Sequence, residues 1–149
     1  MPITSGSGPR ETFERMTRCW IDGEDFGDLL AEDVVIETPF AAPGRPARFA
    51  GREEFLTATA DERATFPVRF TGVDNVVIHD TTDPQVVVVE YELHGVVTAT
   101  GRRAAAPFIG VLRVRDGKVV RWREYQHTLG IAHALGRLPD LAAALAGSG

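Results

Sequence analysis

Residues Val111–His127 read VLRVRDGKVVRWREYQH, and this stretch decides the fold. Two β-branched and apolar runs flank Asp116-Gly117, the strongest short hairpin signal in the chain. The second run carries Arg121, Trp122, Arg123, Glu124 and Tyr125 in succession, followed by Gln126 and His127. In a strand, alternate residues share a face, so 120, 122, 124 and 126 point one way. That face holds Val120 and Trp122, and an acid beside them is expected to be half buried. Desolvation would raise the Glu124 pKa and let it donate a proton near neutral pH. A surface ion pair with the flanking arginines is the plainer alternative, worth only ~0–1 kcal/mol.

Working back from the hairpin, Val68–His79 and Val86–Thr98 read as two long strands joined by a turn at Asp80–Pro84. Arg103–Val114 and Lys118–His127 complete an antiparallel meander, with a further turn at Thr100–Arg102. Upstream, Phe13, Met16, Thr17 and Trp20 recur at helical spacing, and Asp22-Gly23 ends that helix. A short second helix is predicted over Asp25–Ala31 and a strand over Asp33–Phe40, stopped at Pro39. Ala41–Ala50 is a Pro/Gly loop long enough to cover a cavity mouth. A third helix is predicted from Gly51 to Thr65, with Phe55 inward. Past the meander, a helix over Leu129–Leu135 is closed by Gly136, and Leu138–Ala146 reads as another.

Helices gathered on one face of long, curling antiparallel strands define an α+β fold, a cone enclosing an apolar hollow. We expect a disordered tail over 1–9 and one domain over 10–146, since 149 residues suffice to bury a core.

Composition removes whole classes of chemistry. Serine occurs only at Ser5, Ser7 and Ser148, and lysine only at Lys118, which leaves no placed serine nucleophile, Schiff-base lysine or phosphate loop. One cysteine, Cys19, allows neither an internal disulfide nor a cysteine-clustered metal site. A net charge of −5 argues against nucleic acid as partner. No apolar run approaches the roughly 20 residues of a membrane span, and no signal pattern opens the chain, so a cytoplasmic protein is expected. Carboxylates, histidines, tyrosines and arginines remain, the equipment of proton transfer without metal or cofactor.

Three segments, LLAEDVVIETPFAAPG (Leu29–Gly44), FAGREEFL (Phe49–Leu56) and GVLRVRDGKVVRWREYQHTLGIAHALG (Gly110–Gly136), resemble the nuclear transport factor two-like superfamily. The likeness is to its SnoaL-like polyketide-cyclase and phenazine-biosynthesis branches, with ketosteroid isomerases as relatives, and spans about Phe13 to Gly136. It implies the cone fold. Thr38 stands where ketosteroid isomerases carry their catalytic aspartate, so their route is not implied. Glu124, within Arg123-Glu124-Tyr125, matches the final-strand acid that does acid/base work in limonene epoxide hydrolases and phenazine proteins. The hydrolase's partner Arg and Asp have no counterpart in EYELHG (Glu90–Gly95).

The remaining candidates are weaker. Glu90, Glu92 and His94 alternate, and counting through both hairpins puts them on the face of Glu124 provided neither hairpin holds a bulge. Glu92 would then be a second carboxylate; otherwise all three line an outer face, at a dimer interface. His127, at the end of the final strand, is a candidate catalytic group or a structural histidine. Trp20, Met16, Thr38, Phe40, Phe55, Tyr91 and Trp122 are expected to shape the substrate pocket. Tyr91 would donate to a carbonyl, while Tyr125 has the opposite parity. The expected protein is therefore a homodimeric small-molecule enzyme performing cyclisation, isomerisation or dehydration on an apolar, carbonyl-bearing natural-product intermediate. The alternative is a non-catalytic binding or assembly protein using the same cone. An exposed Glu124 bridged to arginine would favour that alternative.

Overall fold

The structure, a computed structural model, describes residues 8–147. Its elements run α1 (Pro9–Asp22), a single 3-10 turn (Gly27–Leu29), β1 (Leu30–Glu37), β2 (Arg48–Ala50), α2 (Arg52–Ala58) and α3 (Ala60–Ala64), then β3 (Val68–Asp80), β4 (Val86–Val97), β5 (Arg102–Arg115), β6 (Lys118–Gln126), α4 (Thr128–Ala134) and α5 (Leu138–Gly147). One six-stranded sheet has the order β2-β1-β6-β5-β4-β3. Its pairs are antiparallel except β1 with β6, which run parallel. This α+β cone is the nuclear transport factor two-like architecture.

Pro9, expected in a disordered tail, instead opens α1; residues 1–7 of that expected tail lie outside the described residues. Proline suits the first helical turn, where its missing N–H costs nothing. Gly23, at φ 71°, closes the helix in the left-handed region. The helix predicted over Asp25–Ala31 is cut to one turn. Asp25 Oδ1 accepts from the Gly27 N–H at 2.8 Å, and Leu30 enters the sheet opposite Val119. β1 accordingly starts and stops three residues before the predicted strand, and β2, expected as loop, pairs with it at Val35–Ala50. The helix predicted over Gly51–Thr65 breaks at Thr59, whose hydroxyl donates to Phe55 O at 2.7 Å. Such back-bonding competes with the regular ladder.

The Asp116-Gly117 turn forms as expected, with φ of 53° and 75°. Two residues on, the register slips: Val114 pairs with Val119, but Arg113 pairs with Arg121. Val120 is therefore an extra residue, a β-bulge in β6. Val119 and Trp122 end on the same, inner face, both buried.

Burial grades along the cone. At the narrow end Phe13, Met16, Val34, Val89, Leu112 and Val119 are at most 1% exposed. Toward the wide end the inward places on β4 and β5 pass to Leu93, Ala106 and Phe108, which remain half accessible.

Candidate active site

The extra residue in β6 determines what faces the hollow. Glu124 lies opposite Gly110, and Gly110 lies opposite Val89, a fully buried core residue. Trp122 lies opposite Leu112, and Gln126 opposite Phe108 and thence Tyr91. Glu124 thus points into the cone at the boundary between its packed end and its accessible end. It is half buried.

Its partner is a phenol, not an arginine. The Tyr91 hydroxyl donates to Glu124 Oε2 at 2.7 Å. Tyr91 itself is 3% exposed, with its ring stacked on Phe108 at 5.3 Å and tilted against Phe13 at 5.4 Å. Burial raises the Glu124 pKa above that of an ordinary glutamate, and the bonds from Tyr91 and, less strongly, Trp122 only partly offset this. Tyr91 is pushed further upward, by burial first and then by the nearby carboxylate, and so stays a neutral donor. Tyr91 was expected to address a substrate carbonyl; its hydroxyl instead donates to one carboxyl oxygen of Glu124.

Gly110 makes room for this arrangement. A Cβ there would lie 2.8 Å from Trp122 Cζ3 and nearer still to Cη2, so only glycine lets the indole lie across β5. A glycine inside an otherwise apolar strand signals a close approach, and this was the overlooked clue in IGVL.

Other predicted residues separate into inner and outer sets. Trp20 is half buried and meets Tyr91 at 6.0 Å and Trp122 at 6.3 Å. Met16 faces inward but is 1% exposed, a core residue with no surface for a ligand. Phe55, on α2, packs on Phe49 and Phe26 at 5.4 and 6.4 Å. Thr38 lies just past the end of β1, half buried, and its backbone N–H donates to Ala47 O, closing the 38–47 loop. Phe40 lies outside the cone. The Pro39 turn sends it to the outer sheet face, 58% exposed, with its ring 5.4 Å from that of Tyr125.

Glu92 also faces out, opposite Pro107 and Asp74. The expected pairing with Glu124 fails because Val120 inverts the count: Glu124 meets Val89, not Glu90, across the sheet. His94 Nε2 lies 2.7 Å from Glu92 Oε1 and 3.2 Å from Asp74 Oδ2, and His79 bonds Glu90 at 2.6 Å, all on that outer face. Glu37 is outward too, held by Arg121 and Arg123 at 2.8 and 3.3 Å; the Arg121 bond chiefly keeps its carboxylate below the usual range. His127 is exposed, and its Nδ1 accepts from the Gly130 N–H at 2.8 Å, capping α4.

Two surface hollows accompany the cone. One, about 340 Å³, lies beside Arg52, Arg115 and Lys118. The other, about 210 Å³, is lined by Phe40, Pro107, Phe108, Ile109, Tyr125 and Gln126, and neither touches Glu124. No helix among the described residues is long and apolar enough to cross a membrane.

The last strand of the cone thus carries an inward carboxyl whose partner is an uncharged hydroxyl. The chain belongs to the SnoaL-like domain family, which matches residues 10–122. An uncharacterised PhzA/B-like protein of Pseudomonas aeruginosa is 33% identical over 127 residues, 85% of this chain and 88% of that protein. A Bacillus subtilis structure provisionally assigned as an isomerase superposes with a TM-score of 0.78 at 24% identity, covering 87% of this chain and 93% of that one. A Δ5-3-ketosteroid isomerase of a Mycobacterium species superposes with a TM-score of 0.65 at 18% identity, covering 83% and 96%. At such identities the structural likeness establishes the fold alone.

Proposed function

We propose that this protein is a cytoplasmic enzyme using Glu124 for cofactor-independent acid/base chemistry. The reaction would be a cyclisation, isomerisation or dehydration of an apolar, carbonyl-bearing intermediate of natural-product biosynthesis. The observation that carries this reading is the Glu124–Tyr91 bond at 2.7 Å inside an apolar wall. Burial holds the proton on Glu124 to higher pH than on an ordinary glutamate, so the acid can protonate a substrate oxygen or carbon. Once ionised, the carboxylate keeps its bond from Tyr91 and can take a proton back. Pre-set donors in a water-poor hollow cost little reorganisation during reaction.

Glu124→Gln tests the role. The amide is nearly isosteric, so fold and ligand binding should persist while turnover of the natural substrate is lost; unchanged turnover would refute it. The substrate itself is best sought by native mass spectrometry of protein taken from its own producer, for a co-purifying small molecule.

A second reading has its own support. Phe13 and Trp20 each contact the rings of Tyr91 and Trp122 and of one another, and this aromatic cluster fills much of the narrow end, as a binding or assembly protein would allow. A ligand recovered chemically unchanged after long incubation would favour it. Under either reading a homodimer through the outer sheet face is proposed, because Phe40 and Ile109, 58% and 44% exposed, give that otherwise charged face an apolar patch. Sedimentation as a monomer at micromolar concentration would contradict that.

A further inference from the structure

We propose that the protein carries a second binding site, outside the cone, where β1 and β6 part and receive a small molecule bearing a carboxylate or phosphate group. The parallel ladder pairs Leu30 with Val119 and resumes only at Val35 with Arg121. Residues 31–34 of β1 therefore run against Val120 alone, and strands so mismatched cannot stay paired. The hollow of about 340 Å³ lies at this split, lined by Ala31 and Val120 together with Arg52, Arg115 and Lys118. Three separate elements thus deliver one cation each: α2, the end of β5 and the start of β6.

These cations have donors to spare. One guanidinium N–H of Arg52 goes to Leu30 O at 3.2 Å, and the Lys118 ammonium donates to Asp28 O. A guanidinium offers five N–H groups and an ammonium three. The nearest carboxylates are those of Glu32, 3.8 Å from Arg52, and Asp33, 3.6 Å from Arg115, both beyond hydrogen-bonding length. Arg113 and Arg121, on the same hairpin, instead reach Asp83 and Glu37 at 3.0 and 2.8 Å. Two acids, Glu32 and Asp116, share the lining, and the Glu32 side chain is 90% exposed. Three cations against two acids leave one positive charge in excess, which a single anionic group would neutralise. Guanidinium forks match the paired oxygens of carboxylate and phosphate, and half-buried Ala31 and Val120 offer apolar contact to a short body. Val120 stands four positions before Glu124 in the chain, about 13 Å away at a strand's rise, so the inference does not depend on the chemistry proposed for that carboxyl.

The test titrates the full nitrogen-15-labelled chain with benzoate, phenyl phosphate and neutral benzamide at constant ionic strength, followed by amide NMR. Benzoate or phenyl phosphate should shift the amides of Ala31, Glu32, Arg52 and residues 115–120 saturably, and the tighter of the two names the anion. Benzamide should bind there at least about tenfold more weakly. Arg115→Gln combined with Lys118→Gln alters two exposed side chains; it should keep the wild-type tryptophan emission and melting curve and weaken anion binding about tenfold. Benzamide binding as tightly as the anions, shifts scattered over arginines across the surface, or no saturable shift at all would overturn the site. So would a folded double variant that binds the anion as the wild type does.

Discussion

Replacing Tyr91 with phenylalanine removes one oxygen and tests whether the buried pair behaves as a unit. The ring should keep its stack on Phe108 at 5.3 Å, so the change falls on the 2.7 Å bond to Glu124 Oε2. A hydrogen bond to a charged group contributes about 1.5–3 kcal/mol, one between neutral groups about 0.5–1.5. The Glu124 pKa is raised in the folded protein, so between the unfolded and folded midpoints the native state binds more protons. Stability is therefore greatest in acid and falls as pH rises from the ordinary glutamate value, about 4.3, through the folded midpoint. Tyr91→Phe withdraws support from the ionised form, moves that midpoint higher and deepens the fall. Thermal melts should show a loss of about 2 kcal/mol, roughly 4–8 °C, near pH 8, and about half as much near pH 4. Carbon-13 labelling of glutamate side chains should show the Glu124 midpoint moving upward in the variant. An equal destabilisation at both pH values, or a midpoint that moves down, would refute the reasoning.

Three further outcomes follow from the same geometry. Glu124→Gln should stabilise the fold by on the order of 1 kcal/mol above neutral pH, because an amide is buried more cheaply than a carboxylate, and the gain should vanish near pH 4 in paired melts. Gly110→Ala sets a methyl against the Trp122 ring and should cost about 1–3 kcal/mol with a shifted tryptophan emission; an unshifted spectrum would contradict the packing. His127→Ala removes the cap on Gly130 N–H and should cost ~0.5–2 kcal/mol, with faster amide exchange in α4 and unchanged turnover.

Much of the fold was legible because local signals agreed with one another. Asp116-Gly117 takes the positive φ values its hairpin requires, Gly23 and Gly136 stop their helices in the left-handed region, and the four long strands alternate as a half-buried sheet should. What misled was a single residue. Val119-Val120 reads as ordinary strand, and nothing in two adjacent valines announces a bulge, yet the slip between Arg113 and Val114 reverses which face of β4 meets Glu124. That is why Glu92 and His94 lie outside and Tyr91 inside. Phe40 misled differently, since hydrophobicity alone suggested the pocket while the Pro39 turn carried it to the outer face beside Tyr125. Helix breaks such as Thr59 depend on a side chain choosing the carbonyl of Phe55, a contest that propensity does not resolve.

The central claim is that Glu124 moves protons on a neutral carbonyl compound. Its most direct measurement is exchange of the α-protons of a neutral aryl ketone in deuterium oxide, followed by proton NMR with wild-type protein, Glu124→Gln and Tyr91→Phe. The account predicts protein-dependent exchange in the wild type, loss to the buffer rate in Glu124→Gln, and a pH profile displaced upward in Tyr91→Phe. Exchange in Glu124→Gln equal to that of the wild type would contradict it.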